Sequence, residues 1–579
     1  MTLARRLWAA AIRGIIKILT SMKTKVSRKM LRYIFMAIFL LGFLIILDAI
    51  IEIFMSHYHK QGWNSDTDTA RTPPMGWNSW NKFGCKHLDE DVVKKTADLL
   101  VSTGLAASGY VYVNLDDCWQ LYRDNRGYIQ PDPEKFKGGM KTLGKYIHSK
   151  GLKYGLYTDS GTLTCQRRPG SYRHEIQDAE SYASWGVDYL KNDDCWLYPG
   201  TTSNENYAAM HTALSNTNRQ IIHSIKGSID IRKSRHVSNV RRVHSDIYDE
   251  WEIMLFCVDS LINEGLERYS APGFWNDLDM LEIGNGGMSA SEYRVHMSLW
   301  CALKSPLLLG HDLSKMTQDE LEILSNPEVI AINQDPLGVS ASLVKNIRPA
   351  DGVSRVILTG EDCTNTEMTE SFAFRYDTST NQIIKIKTDE PDPQCIEVEG
   401  DDSLVLRQCD KESQNQKWIV KNNTKATKIS KLTDKTKCIA TSTYNRVSAR
   451  IQDCKAHKKR WKNNEAWHPH NDEFQIIGDL TKSFRFSNTN HMCLGISSPP
   501  DINVYYGPLH NGGHVVVIVN RDNKPRQIEL KFDYLGVDID QEYVVRNLWT
   551  RKDLGVYSKG LSFDVSNHDC VMLTLRLLT

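Results

Sequence analysis

The sequence predicts an α/β fold: a (β/α)8 barrel of the TIM type, with a membrane-directed leader ahead of it and a β-rich region behind it. Three observations lead there. Between about residues 75 and 335, helical stretches such as "EDVVKKTADLLVSTGL" alternate with short apolar runs such as "YVYVNLDDCW", "KYGLYTDSG", "VDYLKNDDCW" and "RQIIHSIKG". That is the rhythm of repeated βα units with parallel strands, over the roughly 250 residues that a closed eight-stranded barrel needs. The apolar runs end in charge, at Asp116 and Asp117, at Asp159, and at Lys191 with Asp193; the C-terminal strand ends form the active face of such a barrel. After "INQDPLG" the chain turns to β-rich runs without helical periodicity.

The leader comes first in the chain. Residues 1–32 read as a basic tail, 33–55 as a signal anchor or transmembrane helix, and 56–70 as a stem. Tyr33 to Leu47 carries no charge and follows Lys23, Lys25, Arg28, Lys29 and Arg32. A span needs about twenty residues, and "DAIIEIF" extends the apolar run apart from Asp48 and Glu52. The basic flank predicts a single-pass type II anchor with a lumenal or extracellular catalytic domain. The rival is a cleaved signal peptide starting at Met30, giving a secreted or lysosomal protein. Either way the bulk of the chain leaves the cytosol, and the sequon Asn422-Asn423-Thr424 is open to glycosylation.

Composition excludes some functions. Lys+Arg 71 against Asp+Glu 70 leaves a formal charge of +1, so no global field draws the chain to nucleic acid. Thirteen cysteines without a CxxC pair fit an oxidising compartment better than a zinc site. The odd count leaves at least one thiol unpaired, and Cys257 and Cys301, in apolar helical contexts, are the candidates.

In the barrel, "YLKNDDCW" carries the chemistry. Side chains alternate along a strand, so Lys191 and Asp193 share one side. A carboxylate held near an ammonium stays ionised, which suits a nucleophile; the alternative is a structural ion pair at the barrel mouth.

Six segments, in order, resemble glycoside hydrolase family 27, the α-galactosidase and α-N-acetylgalactosaminidase family: "TPPMGWNSWNKFGC", "YVNLDDCW", "GLYTDSGTLTCQRRPGSYRHEIQDAESYASWGVDYLKNDDCW", "DIYDEW", "GFWNDLDMLEIGNGGMS" and "IAINQDPLG". The resemblance implies a catalytic barrel over 71–338. It makes Asp193 the nucleophile, Lys191 a sugar-contacting lysine, Asp246 the general acid/base and Arg242 a substrate ligand. Asp116 and Asp117 would hold the sugar's outer hydroxyls, Trp80 and Tyr157 would form an aromatic wall, and Asp279 with Met280 would close the pocket. It also implies disulfides Cys85–Cys118 and Cys165–Cys195.

The chemistry requires these residue types. A retaining glycosidase sets two carboxyl groups about 5 to 5.5 Å apart, one attacking the anomeric carbon while the other protonates the leaving oxygen. The attacker is expected to be ionised, here by Lys191, and the donor to have a raised pKa. Arg242 can fork onto a hydroxyl or carboxylate, and Trp80 offers an apolar face to the ring. Singly, Asp246 also reads as a helix N-cap, Asp116 and Asp117 as turn residues, and Trp80 as core.

The chain departs from the family pattern after the fifth strand. Where galactosidases commonly carry "CEW" and N-acetylgalactosaminidases "CSW", it has "HSIKGSID", so Ile225 replaces the cysteine and Lys226 the residue that reads the sugar's C2 group. Arg241 stands where the family usually has tryptophan. The implied activity is hydrolysis of terminal α-galactose from oligosaccharides or glycoconjugates, needing no cofactor and no metal. The alternatives are an α-N-acetylgalactosaminidase, a β-L-arabinopyranosidase or a catalytically silent membrane lectin; a metal-dependent hydrolase ranks last, for want of a histidine-rich ligand set.

The resemblance places a C-terminal antiparallel β-domain, a β-sandwich, over 339–361 and 501–579, recognisable in "INVYYGPLHNGGHVVVIVNRD". Residues 362–500 interrupt it. With cysteine pairs Cys395/Cys409 and Cys438/Cys454 and a Gln416-x-Trp418, this insert resembles a ricin-type β-trefoil, which implies a second glycan site; a disulfide-tied decoration is the equal alternative. A homodimer is an open expectation.

Overall fold

Eight short strands alternate with helices, and amphipathic spacing decides which residues face inward. The computed structural model describes residues 69–227, 230–244, 246–347, 355–362, 373–386, 392–399, 404–422, 427–440, 450–453, 475–479, 483–487, 492–497 and 502–578. Strands β1 (Met75–Asn78), β2 (Tyr112–Asn114), β3 (Lys153–Asp159), β4 (Tyr189–Asp193), β5 (Ile222–Ile225), β6 (Val240–Arg242), β7 (Trp275–Asp277) and β8 (Leu307–Leu309) form one parallel sheet in the order β8-β1-β2-β3-β4-β5-β6-β7. A parallel bridge between Leu281 and Leu309 brings the two ends together and curls the sheet into a barrel.

Local sequence signals start and stop the outer helices. Asp89 caps α1 (Glu90–Ser102) by accepting from the Val92 amide, and capping boxes open α2 (Ser203–Ser215) at Thr202/Glu205 and α3 (Ala290–Ala302) at Ser289/Glu292. Inside the barrel the fit is tight: a Cβ at Gly155 on β3 would lie 1.9 Å from the Asn114 side chain of β2. The strand ends named from sequence therefore do converge on one rim.

Behind the barrel lies a β-sandwich. Strands β9 (Ser342–Ile347), β10 (Ile502–Pro508), β11 (His514–Asn520), β12 (Arg526–Lys531), β13 (Tyr543–Asn547), β14 (Lys552–Tyr557), β15 (Gly560–Val565) and β16 (Asp569–Leu577) make a six-stranded sheet, β9-β10-β11-β16-β13-β14, and a two-stranded one, β12-β15. Val504, Val516, Ile518, Ile528, Leu530, Phe532, Val545 and Leu573 are buried in its core, the product of period-2 alternation. Arg521 forks onto Asp259 of the barrel at 2.7 and 2.9 Å, joining the two layers.

The insert is antiparallel, and one expected boundary moves. Arg355–Asp362, which but for its last residue falls in the segment assigned from sequence to the β-sandwich, instead pairs with Met492–Ser497 inside the insert's own sheet. Alternating hydrophobicity marks a strand without naming its partner, so the sandwich segment ends with β9. Cys395–Cys409 is bonded. Cys438 is also in a disulfide, while Cys454 lies outside the described residues. Gln416 and Trp418 are both buried. The Gln416 amide bonds the Gln382 and Glu397 side chains, the Gln408 carbonyl and the Asp410 amide, and the Trp418 indole donates to the Ile396 carbonyl at 3.0 Å. This pair ties strands together from within.

The predicted anchor, 33–55, lies outside the described residues, as do the tail and most of the stem. Among the described residues no helix is long and apolar enough to cross a membrane. Cys257 and Cys301 are free and buried, as expected, and so is Cys570.

Candidate active site

The register of β3 and β4 builds the centre of the barrel mouth. Tyr157 pairs with Lys191 and Asp159 with Asp193, so two side chains from each strand project on the same side. The Tyr157 hydroxyl donates to Asp193 Oδ2 at 3.2 Å, and the Asp194 amide to Oδ1 at 3.1 Å. Cys165–Cys195 and Cys85–Cys118 are bonded, and Cys165 Sγ lies 3.5 Å from Asp193 Oδ2. Asp159, Cys165, Asp193 and Cys195 thus bring four donor-type atoms together, but both sulfurs are spent in the disulfide and offer no thiolate to a metal.

Lys191 does not pair with Asp193, which corrects the expectation. Its ammonium reaches the β2 end and donates to Asp116 Oδ2 at 2.6 Å, where Asn78 also donates at 2.8 Å. It lies 5.4 Å from the Tyr157 ring centre. Burial works against the lysine's charge, but Asp116 and the more distant Asp193 and Asp279 outweigh it and raise its pKa. The physical reason is reach: β2 stands nearer the lysine tip than the end of its own strand. The cation that does face Asp193 is Lys226, past β5, with Nζ 3.5 Å from Oδ1.

Asp246 follows β6 on the same rim, and the same Lys226 acts on it. Arg242, buried at the end of β6, donates to Asp246 Oδ1 at 3.0 Å and pairs with Asp279 Oδ2 at 2.9 Å. Burial favours the neutral acid at Asp246, but Arg242, Lys191 and Lys226 together overcome it and hold the carboxyl below its ordinary range. This differs from the raised pKa expected of Asp246, because Arg242, Lys191 and Lys226 all act on the carboxyl. Asp279 is fully buried, and burial raises its carboxyl despite Arg242. It stands at φ 76° and accepts from the Ile247 and Met280 amides at 2.9 Å each, fixing the loop that carries Asp246. Met280 is buried beside it.

Trp80 begins a short helix, Trp80–His87, and is half-buried rather than part of the core. Asp246 is not a helix cap either, since the next helix starts at Trp251 with Glu250 before it. Asp116 and Asp117 are buried and do serve the turn, with Asp116 Oδ1 accepting from the Asp117 amide and Asp117 Oδ1 from the Cys118 amide. Asp117 Oδ2 accepts from the Gln166 amide at 3.0 Å, and burial pushes its carboxyl up to about 6.

Two groups, Asn78 and Asp277, went unnamed in the sequence reading, and Asp159 was named only as a strand end. Asn78 anchors Asp116. Asp277, at the end of β7, is raised to about 6 by burial against the pull of Arg242. Asp159, fully buried, accepts from the Gly161 and Cys195 amides, and burial followed by the charge of Asp193 pushes it to about 9. Its only sequence signal was its place at the end of an apolar run. The Arg241 departure has a structural partner: buried on β6, it donates to the Gly227 carbonyl at 2.9 Å, bracing the turn that carries Lys226.

The rim thus gathers several carboxylates, with Asp193 at the end of β4 and Asp246 just past β6, around the cations Lys191, Lys226 and Arg242. Residues 72–335 match the family model described as Alpha galactosidase A, and 500–575 that of the Alpha galactosidase C-terminal beta sandwich domain. The chain is 51% identical over 280 residues to Alpha-galactosidase 3 of Arabidopsis thaliana, covering 48% of this chain and 63% of that protein's length. It is 48% identical over 295 residues to the alpha-galactosidase of Cyamopsis tetragonoloba, covering 50% and 71%. The structure is similar to that of alpha-galactosidase I from Mortierella vinacea, with a TM-score of 0.60 at 26% identity over 89% of this chain and 98% of that one. With the barrel, the sandwich and these matches together, the chain belongs to glycoside hydrolase family 27, the α-galactosidase family.

Proposed function

We propose that this enzyme removes terminal α-linked galactose by double displacement, with Asp193 attacking C1 and Asp246 handling the proton. The observation that carries the reading is that two carboxyl groups from separate strand ends, Asp193 and Asp246, answer to one cation, Lys226. In the first step Asp193 Oδ forms the ester bond to C1 as the C1–O glycosidic bond breaks, and Asp246 gives its proton to that oxygen, so the aglycone leaves as an alcohol. In the second, Asp246 takes a proton from water, and the oxygen of that water displaces Asp193, so configuration is retained. Asp116, Lys191 and the Trp80 ring hold the sugar. The low proton affinity of Asp246 suits its role as base; its role as acid then requires acid pH.

The similarity to α-galactosidases of Arabidopsis thaliana and Cyamopsis tetragonoloba supports galactose over other sugars. We extend the reading to the insert as a ricin-type glycan-binding module, on its cysteine pairs and Gln-x-Trp, and to 33–55 as an anchor or cleaved signal that delivers the enzyme out of the cytosol. The purified chain is expected to release p-nitrophenol from the α-galactoside faster than from the α-N-acetylgalactosaminide or β-L-arabinopyranoside, with α-galactose as the first anomer seen by NMR. First release of β-galactose, or preference for another glycoside, overturns it.

Lys226 sets a pH dependence. Its charge helps hold the Asp246 pKa down, so Lys226→Met lets that pKa rise. Because the acid form of Asp246 serves the first step, the alkaline limb of the kcat/KM profile moves to higher pH. An unmoved limb rejects the electrostatic role of Lys226.

A further inference from the structure

An aromatic platform stands at the rim beside the nucleophile, unused by the chemistry above. Trp196 and Tyr198 follow Asp193 by three and five residues and are 47% and 44% exposed, two large aromatic surfaces close together at the rim, and grouped apolar surface of this kind marks binding sites. Neither is loose. The Trp196 carbonyl accepts from both the amide and the hydroxyl of Thr162 at 3.1 Å, and the Arg167 guanidinium lies 4.6 Å from the indole centre. Tyr198 stacks on Tyr172 with centroids 5.1 Å apart and planes 13° from parallel, and Arg173 lies 5.3 and 5.5 Å from the two rings. Cation–π contacts of this kind orient both partners. Trp196, Arg167 and Arg173 all hold left-handed backbone, at φ 45°, 60° and 63°; such conformations cost energy and concentrate where a ligand is held.

The platform is continuous with the catalytic pocket. The Cys165–Cys195 disulfide joins its two loops next to Asp193, and the Gln166 amide rests on Asp117. We propose that Trp196, Tyr198 and Tyr172, with Arg167 and Arg173, form a binding site for the leaving-group portion of the substrate, a saccharide of two or more units. A pyranose ring offers an apolar C–H face to an aromatic surface and a rim of hydroxyls to guanidinium donors. Binding energy from such a remote part of the substrate can be used in the transition state.

This inference rests on the glycosidase reading for its substrate, and two probes separate them. Raffinose carries a sucrose leaving group, whereas α-galactosyl fluoride has none. In Trp196→Ala and in Tyr198→Ala, kcat/KM for raffinose is expected to fall by about tenfold while that for the fluoride stays within about twofold. Equal values for both substrates, or a parallel fall in both, overturn the proposal. Sucrose alone, titrated against the Asp193→Asn protein by calorimetry, tests the platform without turnover. Saturable binding lost in the double variant Asp193→Asn/Trp196→Ala supports it, even if no α-galactoside is hydrolysed; absence of sucrose binding to Asp193→Asn counts against it, even if galactosides are.

Discussion

Asp193→Asn is expected to lower kcat for p-nitrophenyl α-galactoside by a factor on the order of 10⁴ or more. The amide cannot form the ester to C1, so the first displacement has no nucleophile. The fold should tolerate the change. Asp193 is half-buried at a strand end, and its carboxylate takes one hydroxyl and one amide on separate oxygens and lies beside one ammonium; an asparagine oxygen still accepts from the Asp194 amide, and its NH2 can donate to the Tyr157 hydroxyl oxygen. A thermal midpoint close to wild type, with turnover lost, is the result that assigns the role. Retention of more than about a hundredth of the activity would remove Asp193 from the mechanism.

Asp246→Ala is expected to act differently on the two steps. Loss of the general acid slows departure of poor leaving groups by about 10²–10⁴. α-Galactosyl fluoride, whose leaving group needs little protonation, should lose less in its first step and accumulate the Asp193 ester. Azide, which needs no general base, should then restore turnover and yield galactosyl azide of retained configuration. An equal loss for raffinose and fluoride, with no azide rescue, would reject Asp246 as the acid/base. Arg242 complicates a bare deletion, because it is buried and pairs with Asp246 and Asp279; Asp279 remains to compensate its charge, so the alanine variant should still fold.

Much of this architecture was legible because each level of the sequence agreed. Alternating helical and apolar segments and the charged residues closing several apolar runs pointed to the same barrel, and the capping boxes at Thr202 and Ser289 agree with it. The residues from β1 to the loop after β7 could be named singly, since a barrel sends all its strand ends to one rim. The insert was less legible. Arg355–Asp362 reads equally well as a sandwich strand, and only its pairing with Met492–Ser497 assigns it.

Partnership among charges was the other limit. Lys191 and Asp193 lie two apart in sequence, which suggested an ion pair. The lysine instead crosses to Asp116 on a neighbouring strand, and Lys226 takes its place. The direction of the Asp246 shift was likewise out of reach, because chemical role alone argues for a raised pKa, whereas in the structure burial raises it and Arg242 and Lys191, on two strands, with Lys226, just past a third, outweigh burial.

By itself, then, the sequence determined the barrel, which follows from local periodicity, and through its resemblance to the family, carried by motifs that stay contiguous along the chain, it pointed to Asp193 and Asp246 and implied the two disulfides that the structure forms. Only the tertiary structure decided which cation serves which carboxylate, why Arg241 accompanies Lys226, and that Trp196 and Tyr198 stand exposed at the catalytic rim. Coulombic and stacking interactions depend on distances of a few ångströms between strands, and such distances are a property of the closed barrel rather than of the order of its residues.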